Sequence, residues 1–212
     1  MTDIKRGKFI TFEGGDGSGK STQIRLAIQW LCESGEDVLL TREPGGTPIG
    51  EKIRGVLLDP DNAEMTDMTE MLLYAAARAQ LAREIIEPVL KAGRNVVCDR
   101  WADSSMVYQG AARGLGKAVR VVNEYAAGEL FSPDATILLD LDPEEALKRA
   151  AGEGGIDRIE ALGISYQEKV RAAYLELAAE CPDRIHVIDA SGSVEEVHAR
   201  VRKALTGVLG NG

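Results

Sequence analysis

The sequence predicts an α/β fold, a parallel β-sheet covered by helices on both faces. Two observations predict it. Short apolar runs alternate with longer stretches of helical period, and the first apolar run opens into a glycine-rich loop that leads into a helical pattern. The 212 residues suit one domain, 1–212. A share of 44% hydrophobic and 28% charged residues supports a full core without disulfides or structural metal.

The strand-like runs are 8–12, 37–41, 95–98, 135–140 and 185–188. Helical patterns fill 19–34, 49–58, 67–92, 102–112, 117–130, 143–151, 165–180 and 194–208. Several boundaries have local causes. Asp142-Pro143-Glu144-Glu145 supplies a cap, a proline at the first helical position and an acid at the third. Ser193-Val194-Glu195-Glu196 reads as a capping box. Gly93 ends the long helix, and Pro88 bends it near that end. The chain carries no repeats, low-complexity tracts or long linker.

A net charge of −9 argues against broad nucleic-acid binding, which needs many cationic contacts, but leaves room for a small anionic ligand. Cys32, Cys98 and Cys181 form neither a disulfide framework nor a zinc pattern, and Cys98 lies in an apolar run where a buried, inert thiol is expected. His186 and His198 lack metal-ligand spacing. The apolar stretch at 9–12 is too short for a signal peptide, and no run reaches membrane-spanning length. The expectation is a cytoplasmic enzyme with no membrane or nucleic-acid partner.

Gly14-Gly15-Asp16-Gly17-Ser18-Gly19-Lys20-Ser21 fits G-x-x-x-x-G-K-[ST] between a strand and a helix. Glycines let the backbone wrap so that its N–H groups point at phosphate oxygens, and the helix N-terminus adds positive potential. Gly14, Gly15, Asp16, Gly17, Ser18, Gly19, Lys20, Ser21 and Thr22 are thus the expected residues for binding a nucleoside triphosphate. Lys20 reaches the β- and γ-phosphates, and the Ser21 hydroxyl ligates Mg²⁺. The chain lacks an Asn-Lys-x-Asp guanine-reading sequence, which weakens a GTPase reading.

Ligands in open parallel sheets gather at the carboxyl ends of the strands. Thr41-Arg42-Glu43-Pro44-Gly45-Gly46-Thr47 follows the second strand, and the third leads into Asp99-Arg100-Trp101-Ala102-Asp103-Ser104-Ser105-Met106-Val107-Tyr108-Gln109-Gly110. Tyr74-Ala75-Ala76-Ala77-Arg78-Ala79-Gln80 lies on the long helix. With the glycine loop, these segments resemble thymidylate kinase (dTMP kinase) over essentially the whole chain. The resemblance implies a P-loop NTPase three-layer sandwich with five parallel strands in the order 2-3-1-4-5. It implies ATP plus dTMP giving ADP plus dTDP with Mg²⁺, in the supply of dTTP, usually by a homodimer. A kinase for another nucleoside monophosphate, or a nucleotide-switched binding protein, stays open beside it.

Tyr74 and Arg78 are four apart on a helix and share a face. By the resemblance, Tyr74 stacks on thymine and the Arg78 fork donates to O4, where cytosine would present a donor instead. Arg100 is expected to hold the dTMP phosphate and to act in catalysis. Arg42 resembles a second phosphate-facing arginine, and Pro44 fixes tight backbone near the nucleotide. Asp16 resembles an acid that faces the acceptor sugar, pointing at a hydroxyl or a metal-bound water because an acid inside an anion-binding loop is costly. Ser105 and Gln109 are expected at the base edge, and Tyr108 under the deoxyribose. For Mg²⁺, Asp99 is favoured over Asp140 and Asp142, since Asp142 reads as a helix cap.

The glycine loop contains no arginine, so the chain resembles the bacterial type whose catalytic arginine sits in a short lid, here at about 149–160. Arg149 is expected to stabilise the transferred phosphoryl and Arg158 to close over ATP, or the reverse. Related sequences often carry further arginines where this chain has Ala151 or Glu153.

Overall fold

The computed structural model describes residues 5–150 and 163–210. Strands β1 (Phe9–Gly14), β2 (Val38–Arg42), β3 (Asn95–Asp99), β4 (Ala135–Asp140) and β5 (Ile185–Asp189) form one sheet in the order β2-β3-β1-β4-β5. Every pairing is parallel, which is the arrangement the family resemblance implied. The helices are α1 (Lys20–Glu33), α2 (Pro48–Leu58), α3 (Asp67–Leu81), α4 (Glu87–Lys91), α5 (Ala102–Ser105), α6 (Lys117–Ala127), α7 (Pro143–Ala150), α8 (Ile164–Glu180) and α9 (Val194–Gly210).

Side chains alternate across the sheet, and that parity divides the interior. Ile10 and Phe12 pack with Val97, Ile137 and Leu139 under α1 and α9. Phe9 points the other way, into a core with Val96, Cys98, Trp101 and Leu81 beneath α3, α4 and α6. A third cluster joins Leu138 to Tyr108, Tyr174 and Leu177 beside α8. Truncating a fully buried member such as Ile137 to Ala should cost about 2–5 kcal/mol. Glu13 shares the parity of Phe9 and Thr11, so its carboxylate enters the α3–α8 side of the molecule, wholly buried.

The caps follow their sequence. The Ser193 amide donates to Glu196 Oε2 (2.8 Å) and the Glu196 amide to Ser193 Oγ (3.2 Å), a reciprocal box at the start of α9. Asp142 Oδ1 accepts from the Glu144 amide at 3.0 Å, and Thr47 caps α2 through the Gly50 amide at 2.9 Å. Two expected helices are not uniform. The 67–92 stretch is α3, a wide π turn at Ala82–Ile86, then α4. Pro88 has no N–H to give back to that turn, so the ladder loosens just before it. The 102–112 stretch is α5 followed by a π turn at Met106–Ala112, which carries Tyr108 and Gln109. Among the described residues no helix is long and apolar enough to cross a membrane.

Candidate active site

The loop between β1 and α1 is shaped by close backbone approach. A Cβ at Gly17 would lie 2.2 Å from the Ala146 carbonyl oxygen, and one at Gly14 would lie 2.5 Å from that of Leu139. Both residues have positive φ, at 76° and 138°. No side chain caps α1, whose N-cap is Gly19, so its first amides point into the loop. Lys20 Nζ donates to the Gly14 and Gly15 carbonyls at 3.0 and 2.8 Å. Its pKa is pulled down to about 8 by burial and the Arg100 charge, against the pull of Asp16, Asp99 and Glu13. Ser18 Oγ is buried without a hydrogen-bond partner. Asp16 through Thr22 line a cleft with Asp99, Arg100 and Arg149, closed by Ala190 and Ser193 across the sheet end. Gly14 and Gly15 lie behind that wall and contribute their carbonyls to Lys20. The segment has the strand–loop–helix form that the motif predicts.

The metal candidates separate by their partners. Asp140 holds Arg171 in a fork at 2.7 and 3.0 Å, and Asp142 is shared between Arg171 and its capping bond. Asp99 lines the cleft with Ser21, and its buried Oδ1 has no hydrogen-bond partner. A hydroxyl and an uncommitted carboxylate beside a triphosphate cradle fit Mg²⁺, which takes few protein ligands and keeps several waters. Among the described residues there is no cluster of three or more His, Cys, Asp or Glu that could hold a metal alone.

Next to Asp99, Arg100 has a φ of +65°, a region that non-glycine residues occupy only when neighbours impose it, at about 1–3 kcal/mol. Its Nη2 meets Asp16 Oδ1 at 2.5 Å, and its Nη1 donates to the Gly14 carbonyl at 3.1 Å and to Tyr108 Oη at 3.4 Å. The guanidinium lies 5.3 Å over the Tyr108 ring. Asp16 therefore has an ion-pair partner that the sequence reading did not name. Arg100 neutralises it, and that charge with Lys20 holds its pKa below the ordinary value although burial pushes the other way.

A second cavity opens on the far side of Arg100. Tyr74 and Arg78 from α3 line it with Pro44, Ser105, Tyr108 and Gln109, and Asp16 and Arg100 complete its wall. Arg78 is 1% exposed. Its Nε donates to Glu43 Oε2 at 2.9 Å and its Nη2 to Ser105 Oγ at 3.0 Å, while Nη1 makes a short contact with Asn123 Oδ1. Glu43 Oε1 lies 2.5 Å from Nη2 as an ion-pair contact without hydrogen-bond geometry. Arg78 thus presents an edge to the cavity while its nitrogens are held by Glu43, Ser105 and Asn123. Gln109 donates Nε2 to Glu70 at 2.9 Å, which orients its amide.

One placement departs from the sequence reading. Arg42 does not line the cavity. It is exposed and pairs with both oxygens of Glu51 at 3.0 and 2.9 Å, in a groove shared with Ser21 and Asp99. Arg54 on α2 lines the cavity instead, donating to the Pro44 carbonyl at 3.1 Å. Arg149 borders the first cleft, tied to the Ala190 carbonyl at 3.1 Å and to Glu145. Arg158 and most of the segment expected as a lid lie outside the described residues.

Glu13, Glu43, Trp101, Ser104 and Tyr174 were missed by sequence reasoning. For Glu43 the signal was its place inside Arg-Glu-Pro-Gly-Gly-Thr, and for Glu13 the strand parity. Glu13 and Glu43 are both pushed up to about 7, chiefly by burial. Burial, with Glu43, Asp99 and Glu13 nearby, also raises the Cys98 thiol well above its ordinary range, as expected of an inert cysteine.

A triphosphate cradle and an aromatic-lined cavity thus meet at one arginine–aspartate pair. That arrangement defines a P-loop phosphotransferase of the nucleotide-kinase class. A sequence model of the family described as thymidylate kinase matches residues 12–201. A protein named thymidylate kinase from Symbiobacterium thermophilum is 54% identical over 95% of this chain and 94% of its own length. Those of Caldanaerobacter subterraneus subsp. tengcongensis and Desulfosudis oleivorans are 50% and 49% identical, each over 95% of its own length and 94% and 93% of this chain. The chain belongs to the thymidylate kinase family.

Proposed function

We propose that this chain transfers the terminal phosphoryl group of ATP to the phosphate of dTMP, giving ADP and dTDP for dTTP supply. The observation that carries this reading is the shared wall. Asp16 and Arg100 line both cavities, so phosphates entering from the two sides meet there. Catalysis is then positioning and charge neutralisation, with no covalent enzyme intermediate. Loop amides and Lys20 hold the donor phosphates. Arg100 holds the acceptor phosphate and, with Asp16 as its ion-pair partner, orients it for in-line attack. Arg149, on the rim of the donor cleft, adds positive charge to the moving group, with Arg158 as its companion. Magnesium, held by Ser21 Oγ and through water by Asp99, would neutralise the β- and γ-oxygens when bound. At the base, Tyr74 stacks, Arg78 donates to a carbonyl oxygen, and Ser105 and Gln109 hold the edge. Tyr108 packs under the sugar and crowds a 2′-hydroxyl.

A homodimer in the cytoplasm completes the reading. Its support is the set of exposed apolar side chains on α3 and the two helices packed against it: Ile49 and Val56 on α2, Met68 and Leu72 on α3, Val121 and Tyr125 on α6.

The test is an acceptor panel. The protein with Mg·ATP is offered dTMP, dUMP, dCMP, AMP and GMP, and diphosphate formation is measured. A clear preference for dTMP is expected. Equal use of all acceptors would reject the base assignment, and ATP binding without transfer would reject the enzyme.

A further inference from the structure

Glu13 is a fully buried carboxylate that no step above uses. Its Oε1 accepts the Trp101 amide at 2.7 Å, and its Oε2 accepts Ser104 Oγ at 2.6 Å and Tyr174 Oη at 2.8 Å. The Trp101 amide belongs to the residue directly after Arg100, whose φ is +65°. The Arg100 amide donates to the Phe12 carbonyl at 3.0 Å. The last residues of β1 therefore grip the strained turn on both sides, one through its backbone and one through its side chain. Such a φ persists in a residue with a Cβ only where surrounding bonds over-determine it. Ser104, held by the same carboxylate, lies 3.4 Å from Arg100 Nη1. Glu13 thus fixes the backbone that aims the guanidinium and one group beside it.

We propose that Glu13 is a positioning residue: it clamps the Arg100–Trp101 turn so that the Arg100 guanidinium faces the acceptor phosphate. This rests on the reading of Arg100 as the group that holds that phosphate. What matters is the reach of the side chain, since the Trp101 amide needs an acceptor at the distance of a glutamate oxygen. Glu13→Gln keeps that acceptor. Glu13→Asp keeps the charge but withdraws it by one methylene.

The experiment measures dissociation constants for dTMP, thymidine and ATP on Glu13→Asp, Glu13→Gln and Arg100→Met beside the parent. Thymidine fills the same cavity without a phosphate, so it reports general damage to the pocket. Glu13→Asp should weaken dTMP about tenfold or more while thymidine and ATP stay within about twofold. Glu13→Gln should stay within about threefold of the parent for all three. Parallel weakening of dTMP and thymidine, or no weakening in Glu13→Asp, overturns the proposal, and so does a Gln variant as impaired as the Asp variant. Arg100→Met should lose most of the preference for dTMP over thymidine. If it does not, the reading of Arg100 falls and the Glu13 proposal falls with it, whereas a normal Arg100→Met result with an inert Glu13→Asp condemns the Glu13 proposal alone.

Discussion

Replacing Glu43 by Ala removes the carboxylate that faces Arg78 and nothing else that Arg78 touches. In the parent, Glu43 is 3% and Arg78 1% exposed, and Nε meets Oε2 at 2.9 Å. The variant leaves the guanidinium with the neutral oxygens of Asn123, Ser105 and Trp101. Breaking one side of a buried ion pair costs about 3–5 kcal/mol, mostly because the remaining charge stays buried and uncompensated. For a chain of this length each kcal/mol moves Tm by about 2–4 °C, so a fall of about 10 °C is expected. The KM for dTMP should rise as well, since Arg78 loses the anchor that turns its edge to the cavity, while ATP binding is unchanged. Thermal unfolding and initial-rate kinetics measure both. Replacing the pair together, Glu43→Leu with Arg78→Met, should recover stability but not the dTMP preference. A Tm loss under about 3 °C for Glu43→Ala would refute the argument that this pair holds the pocket. The pair also carries a pH signature. Burial lifts the Glu43 pKa from 4.5 to about 7, so between those values the folded chain binds a proton that the unfolded chain has released. Its contribution to stability is therefore most favourable at low pH and falls as pH rises through that window. Glu13 titrates in the same window, so Glu43→Gln should lessen the slope of the Tm profile and leave the share that Glu13 carries.

The remaining predictions concern the phosphate side. Gly17→Ala forces a Cβ to 2.2 Å from the Ala146 carbonyl at a φ of 76°, and should weaken ATP binding at least about tenfold in titration calorimetry while dTMP still binds. Asp99→Asn should raise the Mg²⁺ concentration for half-maximal activity several-fold, and an unchanged Mg²⁺ curve would return Asp140 to contention. Arg149→Ala should lower kcat about 10²-fold; a rise confined to the KM for ATP would reassign it to donor binding and leave Arg158 as the catalytic arginine.

Reading the sequence succeeded wherever the governing interaction is local. The strand–loop–helix context of Gly14 to Ser21, the capping box at Ser193 and the apolar alternation that sets the strands act over a few residues and leave a periodic trace. The family resemblance added the strand order. The departures arise where two charges compete for one partner across the fold. Arg42 ends β2 and Arg54 lies on α2, and only packing decides that Glu51 holds one at the surface while the other reaches Pro44. Asp99 and Asp140 end β3 and β4, the two strands that flank β1, and Arg171, on a helix 31 residues further on, engages Asp140. Glu13 and Tyr174 are 161 residues apart, and Asp16 and Arg100 are 84 apart.

The sequence by itself determined that this chain builds a phosphate cradle at the end of a parallel sheet, because short-range sterics and periodicity specify that unit. Only the tertiary structure decided which acid is buried against which arginine. Opposite charges attract without regard to their order in the chain, and the choice falls to whichever loops the packed sheet brings within hydrogen-bond reach.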